Sequence, residues 1–250
     1  MAPHARTASV RERAAGFTLT ELLVVVSIIC LMMSLLLPTL TRAQRLGEQT
    51  HCLANQHQLG LAWQQLVAEQ DDRIPRLHGP EQLRSYVHDV NEVFLCKSVA
   101  RDERGMSVWG RSIESCYGFA ANMCGRGDDS ARHYRTLHSV SHPGEQLLLT
   151  DIDPDPLGID FRAVIKSRGR WMWRPWAGLV GINSQNMTSR HNDGCNMTFV
   201  DGHGDYTRWR DARTLKFIKG IIAEPNEAST DNPDLKYVVD ILGGRHDANE

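Results

Sequence analysis

Hydrophobic residues fall along this chain in two ways: one dense block near the N-terminus, then many short runs punctuated by polar residues. Residues 22–37 read LLVVVSIICLMMSLLL, sixteen positions without a charge, and the window 17–40 spans twenty-four residues with Glu21 as its one charged side chain. A helix of that length crosses the hydrocarbon core of a bilayer, about 30 Å thick. Beyond Pro38 the spacing changes. Cys52, Leu59, Trp63 and Leu66 recur at helical intervals with Gln, Glu and Asn between them, so an amphipathic continuation is predicted over 41–70, stopped by Asp71, Asp72 and Pro75. Pro38 cannot donate a backbone hydrogen bond and is expected to kink or loosen the helix where it stands.

After residue 70 the apolar runs shorten to the length of strands. The segments 93–96, 115–120, 146–150, 162–165, 196–200 and 205–209 are predicted as strands between turns and long loops. The last two form the clearest hairpin, because Asp201-Gly202 follows the alternating run 196–200 and suits a tight type I′ turn. Beyond residue 224 the chain is polar, with Pro225, Asn226, Asn232 and Pro233 marking loop, before a last apolar stretch at 237–242 that docks on the rest. One long helix followed by an antiparallel sheet gives an α+β fold.

Charge fixes the direction of the apolar helix. The first sixteen residues carry Arg6, Arg11 and Arg13 against one acid, Glu12, which holds the N-terminus in the cytoplasm and places residues from 41 onward outside. A secretory signal peptide would have a shorter apolar core with small residues after it at the cleavage site. Here the small residue, Gly16, precedes the core.

The segment GFTLTELLVVVSIICLMMSLLLP, residues 16–38, resembles the class III signal of type IV prepilins and type II secretion pseudopilins. The resemblance implies a pilin-like fold and cleavage between Gly16 and Phe17 by a prepilin peptidase, with methylation of the new amino group. It divides the chain into a leader (1–16), a membrane segment (17–40), its amphipathic continuation (41–70) and a periplasmic α+β head (71–250). The implied partners are the inner membrane, the peptidase and other pilin or pseudopilin subunits. Glu21 is the fifth residue after the implied cut. A carboxylate in hydrocarbon costs on the order of 2.5–3.5 kcal/mol and calls for a partner. The N-terminal ammonium of Phe17 on a neighbouring subunit is one; a seat at headgroup level, needing none, is the alternative.

A second resemblance lies in RHNDGCNMTFVDGHGDY, where His191 is followed after nine residues by Asp201-Gly202. It is similar to the terminal motif of a family of prepilin-like proteins abundant in planctomycete-type bacteria. Cys52-Leu53-Ala54-Asn55 with Gln58-Leu59-Gly60, Phe94-Leu95-Cys96, Ser115-Cys116-Tyr117-Gly118 and the run Leu147-Leu148-Leu149-Thr150-Asp151 agree with it. Lys97 stands where that family commonly has proline, and Asp193 where glycine is usual.

Composition narrows the function. The 250 residues are 41% hydrophobic with a net charge of −2, which excludes a basic nucleic-acid binder and a disordered chain. Of six cysteines, Cys30 lies in the apolar block. Cys52, Cys96, Cys116, Cys124 and Cys195 follow it into an oxidising compartment at spacings that fit no zinc ribbon. Cys52 with Cys96 is the favoured disulfide, linking the helix to the first part of the head.

His191, Asp193, Asp201, His203 and Asp205 are candidate ligands for a structural divalent cation, their oxygens suited to calcium and their imidazoles to zinc. The competing reading makes Asp201-Gly202 a turn and His191 a brace for the loop. The acidic run Asp151, Asp153, Asp155 and Asp160 fails as a calcium loop, because Pro156 and Arg162 occupy the positions of its glycine and its glutamate. Trp171, Trp173 and Trp176, interleaved with Arg170, Arg174 and Pro175, suit either a sugar or protein contact surface or a packed core.

No nucleophile elbow, zinc-peptidase helix, phosphate loop or dinucleotide fingerprint occurs, so an enzyme is not expected. The leading expectation is a prepilin-like structural subunit with no cofactor. The alternative is a membrane-tethered periplasmic binding module that uses the pilin signal for delivery. A third, minor one is a tethered metal-dependent hydrolase built on His191, Asp201 and His203.

Overall fold

The computed structural model describes residues 17–75, 80–99, 115–123, 134–155, 160–161, 164–167, 170–173, 187–219 and 230–243. Gly16 and the rest of the leader, Cys124 and Trp176 lie outside them. The architecture is α+β, one long apolar-to-amphipathic helix followed by a head with an antiparallel sheet. By internal contacts the chain divides at Gln44, giving a unit of residues 1–44 and a second of residues 45–250.

Helix α1, Leu19–Glu69, runs through Pro38 without interruption. Its start is fixed by a reciprocal pair. Thr18 N–H donates to Glu21 Oε2 at 2.9 Å, and Glu21 N–H donates to Thr18 Oγ1 at 3.2 Å. This is a capping box, Thr at the cap and Glu three residues on, each satisfying a backbone donor that the first turn leaves free. Its end is made by Asp71 and Asp72, both at positive φ, which short polar side chains tolerate.

In the second unit α1 supplies the floor of a core. Cys52, Leu59, Trp63 and Leu66, the stripe predicted from spacing, are all buried, joined by Asn55, Gln56, Gly60, Ala62 and Val67. Trp63 is fully buried, its indole N–H donating to the Met123 carbonyl at 3.1 Å. At Gly60 a β-carbon would meet the Thr198 methyl at 3.3 Å, so glycine lets the helix lie close against the sheet.

The sheet has the order β3-β1-β2-β6-β7. Strands β1 (Ser115–Ala120), β2 (Leu147–Asp155), β6 (Gly194–Phe199) and β7 (Gly204–Arg208) pair antiparallel, and the two-residue β3 (Asp160–Phe161) adds parallel to β1. A separate hairpin joins β4 (Val164–Ser167) to β5 (Arg170–Trp173). Every residue of β1 and β6 is buried. Burial along every position marks strands covered on two faces, and the alternating pattern of β6 puts polar Asn196 and Thr198 among its buried residues.

Several expectations need correction. Segment 93–96 is no strand: a single helical turn, α2 (Val90–Val93), ends there, and Phe94, Leu95 and Cys96 follow in turn conformation. Helix α3 (Ala212–Ile218) was not anticipated, although Asp211 caps it by accepting from Arg213 N–H. Asn232 and Pro233, read as loop, begin helix α4 (Pro233–Ile241). Asn232 accepts from the N–H groups of Asp234 and Leu235, and proline occupies the first turn, where its missing donor costs nothing. Helix α4 docks through Leu235, Val238, Val239 and Ile241, all buried.

The Asp-Gly turn of the last hairpin also differs. Gly202 has φ +95° while Asp201 keeps a negative φ, and Gly202 N–H donates to the Phe199 carbonyl at 2.9 Å. That is a type I turn closed by a left-handed glycine, where a type I′ turn needs positive φ at both central residues. The I′-like turn lies at the other end of β6, where Asn192 and Asp193 have φ of 51° and 60° and Gly194 N–H donates to the His191 carbonyl at 3.1 Å. At Gly194 itself a β-carbon would stand 2.3 Å from the Thr207 carbonyl oxygen.

Candidate functional site: a signal helix and a buried cysteine-histidine-aspartate cluster

Two places in the chain gather the residues singled out by sequence, and they differ in kind. The first is the start of α1. Phe17 is exposed, and so are the large apolar side chains from Leu19 to Leu40. Glu21 sits in the capping box, its Oε2 also accepting from the Thr18 hydroxyl at 2.8 Å. The partner anticipated for Glu21 was an amine on another subunit; within one chain Thr18 already satisfies it. The Thr-x-x-Glu pattern was legible at 18–21 but was not read as a cap.

The second place is inside the head. Helix α1 brings Cys52 and Gln56, the turn after α2 brings Cys96, β2 brings Asp151, β6 brings Asn196, and the turn before β6 brings His191. All six are buried. Cys52 Sγ and Cys96 Sγ stand 2.7 Å apart. His191 Nε2 lies 3.7 Å from Cys96 Sγ and 3.4 Å from Asp151 Oδ2. Asp151 is held at both oxygens, Oδ1 accepting from the Gln56 amide at 2.8 Å and Oδ2 from the Asn196 backbone N–H at 2.8 Å. Gln56 also donates to the Asn196 carbonyl and accepts from the Thr198 hydroxyl, both at 3.2 Å. A buried amide and a buried carboxylate thus lock helix to sheet, each with its polar atoms satisfied.

Electrostatics follow from burial and proximity. Full burial pushes the Asp151 carboxyl up to about 6, against the pull of the His191 and Arg190 charges and the Asn196 N–H. Burial alone would lower His191; contact with the Cys96 sulfur and the Asp151 carboxylate outweighs it and raises the imidazole above its ordinary value. Of the two thiols Cys96 is the more acidic, held down by the hydrogen bond with Cys52 and by His191 and Arg190. Burial pushes Cys116 up to about 11 and raises Cys195 well above the usual thiol range.

This geometry does not make a nucleophilic relay. Sulfur and carboxylate both approach Nε2, whereas a relay places nucleophile and carboxylate on opposite ring nitrogens. Among the described residues, Cys52, Cys96 and His191 are the group whose ligand atoms, all within 4.8 Å of one another, have the chemistry to hold a metal.

The five residues proposed as cation ligands do not gather. His191 turns inward to the cysteines. Asp193 pairs with Lys219 at 3.1 Å. Asp201 Oδ1 takes the His203 backbone N–H at 3.0 Å and stands 2.6 Å from the His203 imidazole, which stacks on Phe199 at 4.4 Å. Burial raises the Asp201 carboxyl less than these His203 contacts lower it, so it titrates below its ordinary range. Asp205 accepts from the N–H of Tyr206 at 2.7 Å. Strand β6 explains the nine-residue spacing: His191 and Asp201 sit in the turns at its opposite ends. Trp171 and Trp173 lie on β5 opposite Lys166 and Val164.

The cluster collects most of the fragments that carried the second resemblance: Cys52 and Asn55, Cys96, Tyr117, Asp151 and His191. Asn55 Nδ2 lies 3.3 Å from the Glu92 carbonyl and 3.5 Å from the Tyr117 hydroxyl. Gln56 and Asp151 were missed as a pair. The available signal was polarity in apolar places: Gln56 one turn after Cys52, and Asp151 at the end of Leu147-Leu148-Leu149-Thr150.

Residues 11–37 match the family model described as the prokaryotic N-terminal methylation motif. No curated protein and no solved structure matches the chain. The chain therefore carries, on a long apolar helix, a prepilin-type methylation signal, the mark of a membrane-anchored, type IV pilin-like precursor.

Proposed function

We propose that this protein is a structural subunit of a type II secretion or type IV pilus-like filament, cut after Gly16 and assembled through α1. The methylation motif at 11–37 carries the reading. The exposed apolar face of α1 supports it, since such a surface needs either lipid or the helices of other subunits to cover it. The subunit sits in the inner membrane with its N-terminus cytoplasmic and its head periplasmic. No cofactor and no catalytic step belong to the proposal.

The capping box adds a step to the mechanism. Before assembly Thr18 satisfies Glu21 within the helix, which lowers the cost of holding a carboxylate near lipid. On assembly the methylated ammonium of Phe17 on another subunit competes for the same carboxylate, and the charged contact is the stronger of the two. Glu21→Ala tests this by filament sedimentation from cells that make the peptidase. Wild-type protein is expected in the sheared fraction and the variant in the membrane. Equal amounts of both in the sheared fraction would refute the role of Glu21.

A second reading, a tethered periplasmic binding module, draws on a groove between β7 and α4 lined by Asp205, Arg208, Arg210, Asp234 and Tyr237. Such a module keeps its ligand when Glu21 is replaced.

A further inference from the structure

We infer that Cys52 and Cys96 are joined by a disulfide that ties α1 to the head, formed with His191 as the acceptor of the Cys96 proton. The inference rests on the head lying outside the cytoplasm, where thiols are oxidised.

Three states are open to two buried sulfurs 2.7 Å apart beside an imidazole. Two free thiols at that separation are well inside van der Waals contact, closer than a thiol hydrogen bond brings two sulfurs. A tetrahedral metal would use both thiolates and His191, but thiolates bound at about 2.3 Å from zinc stand roughly 3.8 Å apart. Among the described residues the group offers three ligands: Asp151 is engaged by Gln56 and Asn196, and Cys52, Cys96 and His191 are sealed from solvent. A covalent bond satisfies the two sulfurs without a further ligand.

The chemistry balances as an exchange with a disulfide-bonded oxidant. Cys52 first forms a mixed disulfide with the oxidant before the head closes over it, releasing one of the oxidant's sulfurs as a thiol. Cys96 then loses its proton to His191, and its thiolate attacks Cys52 Sγ. The Cys52–Cys96 bond forms, the bond from Cys52 to the oxidant breaks, and the second oxidant sulfur leaves as thiolate and takes the proton from His191. The chain loses two electrons and two protons; the oxidant gains them. Asp151, 3.4 Å from Nε2, stabilises the imidazolium while it holds the proton. His191 thus sits where the thiol proton must go, which gives the first residue of the His-(nine)-Asp-Gly spacing a role that turn geometry does not supply.

The bond's place in the fold gives it a purpose. Cys52 lies on the helix that the proposed filament pulls on, and Cys96 lies in a turn whose carbonyls accept from the Asn55 amide at Leu95 (3.5 Å) and, at Phe94, from the Cys116 N–H of the first strand (2.8 Å). A cross-link there passes load from helix to sheet through a covalent path.

The test uses full-length protein extracted in detergent from the periplasm-facing membrane, unfolded in guanidinium with iodoacetamide, with and without prior reduction, and digested. A linked Cys52–Cys96 peptide pair, two hydrogens lighter than the sum of its halves and separable only by reductant, is expected. Both cysteines alkylated without reduction would overturn the inference, and one equivalent of zinc in that sample would assign the site to metal. In pulse-labelled cells His191→Gln should slow formation of the linked pair several-fold while leaving its final yield unchanged; an unchanged rate would remove the proton-acceptor role. The same digest reports the N-terminus. A start at Phe17 with free thiols would reject the bond alone, and a linked pair on an uncut chain would reject the filament reading alone.

Discussion

The two halves of α1 invert the usual relation between polarity and burial. Its first half, almost wholly apolar, is exposed, with Leu31 at 65% and Leu35 at 68%; its second half, rich in Gln, Asn and His, is the part that is buried, with Gln56 and Trp63 at 0%. In a helix packing only against its own domain the apolar part would be inside. The first half of the helix is exposed, while the second half is tied to the head by directed polar contacts rather than by hydrophobic burial alone. Gln56 to Asp151 is the clearest of these, since both groups would be costly to bury singly.

The largest test of that contrast removes bulk from each half. Trp63→Ala leaves a cavity under Met123 and should cost the head about 3–5 kcal/mol, read from its chemical unfolding midpoint. Leu31→Ala should leave the same midpoint unchanged. Equal effects would erase the distinction between the halves.

Acidity sharpens the polar side of the comparison. The folded Asp151 carboxyl keeps its proton up to about pH 6, whereas an unfolded aspartate loses it near 4. Between these values the folded state binds more protons, so stability falls as pH rises from 4 to 6, on the order of 3 kcal/mol in all. Thermal unfolding followed across that range should show the decline, and Asp151→Asn should flatten it. A pH-independent Asp151 would mean that His191 neutralises it throughout.

A smaller effect is expected at the turn that aims His191. Gly194→Ala drives a methyl into the Thr207 carbonyl and should cost about 1–3 kcal/mol, measured by denaturation of the head. The smallest lies at the helix start. Thr18→Ala removes the cap and should destabilise the first turn by about 1 kcal/mol, visible as faster amide exchange at Leu19 to Leu22 in micelles, with the head unaffected.

Much of this was written in spacing. The apolar block, the buried stripe Cys52, Leu59, Trp63 and Leu66, and the β6–β7 hairpin all follow from periodicity, which local sequence records. Cys52 and Cys96 were paired on position alone, and the structure brings their sulfurs together. What spacing could not record is direction. His191 looked like a neighbour of Asp201 and His203 because they share a motif, but β6 runs between them and carries them to opposite ends of a strand. Segment 93–96 has strand-like composition, Val-Phe-Leu-Cys, and instead forms the end of a helical turn whose Val93, Phe94 and Cys96 fill the core. Asn232-Pro233 was read as loop because the same residues that break helices also start them, and only the apolar face that follows decides between the two.

The proposed filament role requires that the exposed half of α1 be a processed pilin signal. The mass of the mature N-terminus, measured in cells with and without their prepilin peptidase, decides this. A chain beginning at N-methylated Phe17, lost when the peptidase is absent, is expected. An intact Met1 in both, or a cut beyond Leu37, would contradict it.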